Sequence, residues 1–194
     1  RINTIDKWQF STDAISNNSA DLTVGTQGAS SGVAAVYGYT FAGQDGSGPT
    51  NNIQKFSMTS HANATLLSSV TVYSKNGQLS FNAPNASYIM GSGWTAPNGG
   101  TGKNIEKFNF STESDSALVS ELFDHTASGA IDYWLGVTTS STTHGYRMFG
   151  GGGNPSPTGI SRMSFASEAT MTDVGDMTSV SGGPGREDGA AFYT

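Results

Sequence analysis

The chain has no cysteine. Disulfide staples, thiolate metal sites and cysteine nucleophiles are excluded together. Charge is also scarce, at 12% of residues, and the 15 acids outnumber the 9 Lys and Arg. A net charge of −6 without a basic cluster opposes non-specific nucleic-acid binding, which needs a cationic surface. No apolar run approaches the ~20 residues of a membrane-spanning helix, so no membrane insertion is expected. The chain opens at Arg1 without Met or a signal-like stretch, as expected of a processed product or part of something longer.

Hydrophobic residues make up only 35% of the chain, yet there are 10 Phe, 7 Tyr and 3 Trp. Disordered chains are poor in aromatics, so these point to a packed core. The 26 Gly fall in short clusters between apolar runs and have no collagen-like period. That pattern fits tight turns joining short strands. The remaining surface must be mostly Ser, Thr, Asn and Gly, a neutral polar character common on extracellular and virion proteins.

One unit recurs. "TIDKWQFSTDAIS", "NIQKFSMTSHANA", "NIEKFNFSTESDS" and "GISRMSFASEATM" align on Ile5, Ile53, Ile105 and Ile160, which stand 48, 52 and 55 residues apart. Two residues on is a cation: Lys7, Lys55, Lys107 or Arg162. Next comes a large apolar residue (Trp8, Phe56, Phe108, Met163), and two further a second (Phe10, Met58, Phe110, Phe165). An aliphatic segment follows in each copy, then an element whose Tyr falls in register: Tyr39, Tyr88, Tyr146 and Tyr193. The copies run over about 1–50, 51–103, 104–158 and 159–194, the last incomplete, as one repeat domain spanning 1–194.

The alternation of Trp8 and Phe10 against Lys7 and Gln9 is that of a strand. No stretch sustains an apolar period of 3.6, so strands dominate. A repeat of about 50 residues with about four strands is the signature of a propeller blade. The expected fold is all-β, a β-propeller of about four such repeats, with a β-solenoid as the alternative.

The Tyr-x-x-x-Gly element (Tyr39 to Gly43, Tyr146 to Gly150) followed by an Ile-x-Lys-aromatic strand resembles kelch-type repeats. "STTHGYRMFGGG" and "IEKFNFST" look like the degenerate kelch-like repeats of tailed-phage structural proteins, especially of marine and cyanobacterial phages. The second copy departs from the pattern, with "YIMGSGW" in place of the Gly pair. Three arrangements are open: a four-bladed ring, part of a propeller of six to eight blades, or a ring completed by another copy. Part of a larger propeller is the first expectation.

Candidate chemistry is thin. His61, His125 and His144 are present, but no Gly-x-Ser-x-Gly elbow accompanies them. Glu113, Asp115, Asp173 and Asp176 suggest calcium loops, yet neither segment matches the EF-hand pattern, and capping of turns is the plainer role. Some kelch-type propellers are copper oxidases, an activity that rests on a Cys–Tyr crosslink this chain cannot form. Nothing pairs two carboxylates for glycoside hydrolysis. Trp94, in the Gly/Pro-rich connector "GSGWTAPNGG", is the candidate ligand-binding residue, able to stack on a sugar. Tyr133 and Trp134 read as core. Sequons at Asn17, Asn63, Asn85 and Asn109 are inexpensive in so Asn-rich a chain. The repeated cation reads as a stem packed along a neighbouring blade with its charge at the rim, with Asp6 and Glu106 as flanking acids.

The resemblance implies a non-enzymatic structural or adhesion module of a phage virion, as tail, fibre, neck or capsid-associated component. It would contact other virion proteins or a host-surface glycan and reside on the virion or outside the cell, with oligomerisation open; from the residues themselves no cofactor is expected, calcium being the one alternative. The alternatives are a secreted bacterial glycan-binding or matrix propeller and, further off, a glycan hydrolase on the same fold.

Overall fold

The computed structural model describes residues 2–71, 79–90, 104–122, 135–150 and 159–176. These form fourteen strands and, among the described residues, no helix. β1 (Thr4–Gln9) and β2 (Ala14–Asp21) make a two-stranded sheet, blade I. Blade II is β3 (Ser30–Ala34), β4 (Tyr37–Phe41), β5 (Asn52–Ser57) and β6 (Thr65–Ser69). Blade III is β7 (Leu79–Ala83), β8 (Ala86–Met90), β9 (Asn104–Asn109) and β10 (Ala117–Glu121). Blade IV is β11 (Leu135–Ser140), β12 (His144–Gly150), β13 (Gly159–Ser164) and β14 (Thr172–Asp176). Each full blade is an antiparallel meander, so the fold is all-β and propeller-like, not a coil of parallel strands.

The sequence repeat and the blade are out of phase. The first repeat opens on β1 of blade I and the other three on the third strand of a four-stranded sheet (β5, β9, β13), and the final element of each of the first three repeats supplies the first two strands of the next sheet. "VAAVYGYTF" reads as one strand, but it is the end of β3, a tight turn and β4, with Val33 opposite Gly38. The chain turns at Ala35 and Val36, with Ala35 in the left-handed region at φ 41°. No Gly, Asn, Asp or Pro marks that turn, so local turn chemistry could not reveal it.

Alternation along the third strand decides what faces what. In β9, Ile105 and Lys107 look toward the following blade, whereas Glu106 and Phe108 look toward the preceding one. Two cores result, each lying between blades. Tyr39, Phe41 and Ile53 of blade II close on Ile89 and Phe108 of blade III. Phe81, Tyr88, Met90 and Ile105 of blade III close on Met163 and Met171 of blade IV. Phe108 is fully buried, as the repeat requires, and its ring meets Tyr39 and Phe41 edge-on at 5.3 and 5.5 Å. Such close-packed joints leave little room at the backbone. A Cβ added to Gly145 would lie 2.2 Å from the Phe81 ring of the preceding blade.

A bulge recurs at one place in each full blade. Leu67, Val119 and Val174 are the extra residues where β6, β10 and β14 pass the start of the third strand. Beside it lies a recurring backbone bond between blades. Ala64 N–H donates to Asp21 O (2.8 Å), Ser116 to Ser69 O (3.0 Å) and Met171 to Glu121 O (2.9 Å). Donor and acceptor are the residues 11 and 16 after the repeat's Ile in successive copies. The joint is thus built into the main chain at a fixed repeat position.

Candidate functional site

The repeated charges converge at the joints. Glu113, in the turn between β9 and β10, accepts from Lys55 Nζ at 2.6 Å and from Tyr39 Oη at 2.9 Å. One blade further on, Glu168 accepts from Lys107 Nζ at 2.6 Å and Tyr88 Oη at 2.7 Å. Each clasp takes a phenol from the second strand and an ammonium from the third strand of one blade. The acid comes from the next blade. Tyr and Lys are cross-strand partners in both cases, Tyr39 with Lys55 and Tyr88 with Lys107, which sets the two donors side by side. Lys55 also lies 3.9 Å from the centroid of the Tyr37 ring.

The acid reaches its partners because its backbone is turned. Glu113 and Glu168 sit at φ 51° and 50°, each donating its N–H four residues back, to Asn109 and Ser164. Asp13 adopts the same conformation at φ 52°. All three are the eighth residue after the repeat's Ile, and in the second copy that residue is His61.

Burial pushes the Glu113 carboxyl up, but the bonds from Lys55 and Tyr39 and the Lys55 charge outweigh it and hold the group below its ordinary value. Glu168 is held down in the same way by Lys107 and Tyr88. Burial, then the carboxylate bond, pushes the Tyr39 and Tyr88 phenols well above the usual tyrosine range. At pH 7 each clasp therefore holds an ionised carboxylate against a neutral phenol, both groups shifted away from neutrality.

The residue after the Ile performs a second joining task. Gln54 accepts from Val24 N–H at 2.8 Å and donates to Val24 O at 3.0 Å. Glu106, fully buried, accepts from Thr71 N–H at 2.9 Å and from the hydroxyls of Thr71 and Ser116. Each holds the segment that leaves the preceding blade.

These contacts revise the sequence reading of the cations. The stems do pack at blade edges, but the flanking acid Glu106 is not the partner of Lys107, because neighbours in a strand face opposite ways. The partner is Glu168, 61 residues on. The signal that could have found it was the acid at the eighth position, masked by His61 in one copy. The acids considered for calcium are also engaged. Glu113 is in a clasp, Asp115 accepts from Ser69 N–H at 2.8 Å, and Asp173 accepts from Gly175 N–H at 3.1 Å. Among the described residues no three of His, Asp and Glu gather to hold a metal. His144 lies in β12 with Nδ1 2.8 Å from the Thr143 hydroxyl, and His61 is exposed in its turn. Trp94, His125, Tyr133 and Trp134 lie outside the described residues.

No protein-family model matches the chain, and no curated protein does. Among solved structures, that of YjhT matches with a TM-score of 0.62 over 93% of this chain, at 12% identity. The chain spans 60% of the length of that structure. At this identity the likeness is one of fold, and it agrees with the propeller-like arrangement of the blades.

Proposed function

We propose that the chain is a non-enzymatic β-propeller module that serves as a structural or adhesion element of a phage virion. The observation that carries this reading is the use of the recurring charges. Lys55, Lys107, Glu113 and Glu168 are spent on holding blades together, with carboxylates kept ionised and phenols kept neutral. The two inner joints thus commit their recurring ionisable residues to the frame and leave the loops to present a surface. The neutral polar composition and the resemblance of the repeats to tailed-phage structural proteins supply the setting. The partners are other virion proteins or a host-surface glycan, met through the loops between strands, where neutral hydroxyls and amides suit sugar hydroxyls.

Immunogold labelling of purified phage particles with antibody to this chain tests the reading. Label at a defined place on the particle is expected. Unlabelled particles, with all of the protein in a cellular or secreted fraction, overturn it.

A further inference from the structure

The outer faces of the array are unlike ordinary surface. On blade I, Trp8 and Phe10 occupy the positions that in blade III hold Phe108 and Phe110, yet they are 58% and 86% exposed. Their rings lie 5.8 Å apart, side by side at the edge of β1. Asp13 is exposed nearby, in the turn that in blades III and IV presents the clasp acid, with the same left-handed backbone.

The far face of blade IV is the other half of the same joint. Tyr146 and Arg162 are cross-strand partners, as Tyr39 is with Lys55 and Tyr88 with Lys107. Met148 stands where Phe41 and Met90 stand, and Ile160 where Ile53 and Ile105 stand. Those four counterparts are buried in joints, whereas Met148 and Ile160 are only half-buried and Arg162 is exposed. Among the described residues, blades I and IV make no contact of any extent with each other.

We propose that the blade I face of one copy docks on the blade IV face of a second copy, repeating the internal joint between chains. Asp13 enters the position of Glu113 and Glu168 and accepts from Tyr146 and Arg162 of the other copy. Trp8 and Phe10 cover Met148 and Ile160. Three features select this occupant: opposite charge at matching repeat positions, apolar residues left open on both faces, and an acid already in the joint's backbone conformation. The contact is head-to-tail, so it closes into a ring or grows, as its rotation dictates.

The test is mass measurement of the full chain by light scattering and sedimentation over a concentration series. Reversible association is expected, weakened about tenfold or more by D13R or R162D alone, since each sets like charges against one another. Mixing D13R with R162D, or combining both in one chain, restores it. F10S weakens it without altering the thermal midpoint of the monomer at low protein concentration. Circular dichroism confirms that each variant is folded. A monomer at every concentration overturns the proposal. So does a D13C/R162C pair that crosslinks within a single chain, because the chain's own ends then meet. Association insensitive to both charge reversals overturns it as well.

Discussion

The joints after blades II and III differ from the joint between blades I and II. All three carry the backbone bond at the same repeat positions. The later two add a clasp, Tyr39–Lys55–Glu113 or Tyr88–Lys107–Glu168. In the first, His61 occupies the acid's place opposite a strand that carries Lys7. Amide and hydroxyl contacts stand there instead. Gln54 brackets Val24, Asn63 Oδ1 accepts from Asp21 N–H at 3.0 Å, and the Thr23 hydroxyl donates to Ala64 O at 2.9 Å. The shared main-chain bond defines the joint, and the ionic clasp is an addition that one joint does without.

The largest contrast should come from equivalent aromatics. Phe108→Ala empties a fully buried position and should cost about 3–5 kcal/mol. Trp8→Ala, at the same repeat position but 58% exposed, should cost under about 1 kcal/mol. Urea midpoints at low protein concentration check both. Similar losses would mean that the face of blade I is covered.

Next come the clasps. Glu113→Gln or Glu168→Gln keeps an acceptor for the phenol but discards the ion pair, and each should lower stability by about 1–2 kcal/mol. The pairs are partly exposed, so the lower half of that range is expected once solvent screening is counted. Asp13→Asn should leave the midpoint of the monomer unchanged.

The pH profile should show the clasps from both sides. The folded Glu113 and Glu168 carboxyls lie below their ordinary 4.5, so their contribution is present at neutral pH and is lost as pH falls from there through the lowered values. Tyr39 and Tyr88 lie above their ordinary 10.0, so their contribution is complete below pH 10 and is lost as pH rises beyond it. Thermal midpoints from pH 3 to 11 read both limbs, and the double Glu→Gln variant should flatten the acid limb.

The smallest effect asked for is a gain. His61→Glu should give the first joint an acid facing Lys7 and raise stability by about 0.5 kcal/mol, diminishing with added salt. No gain at low salt would show that Lys7 is not placed like Lys55.

Much of this architecture was legible in the sequence. The Ile, cation and aromatic positions announced a repeated strand with one apolar face. The phase of the blades was not, because a repeat reads the same from any starting residue and only pairing places β4 beside β5. The hairpin at Ala35 was hidden by a turn without turn residues. The clasp was hidden because Tyr39, Lys55 and Glu113 come from three elements up to 74 residues apart. The adjacent Glu106 offered a nearer but wrong-facing partner.

The clasp also has a direction. Blade III offers phenol and ammonium, Tyr88 and Lys107, on one side and accepts with a carboxylate, Glu113, on the other. It therefore carries both a plug and a socket. An in-frame duplication or deletion of one whole repeat period leaves the backbone bond of every remaining joint with its two halves. Array length can then change by recombination in whole steps without retuning the neighbours, whereas a change of less than one period would leave a joint with only one of its halves.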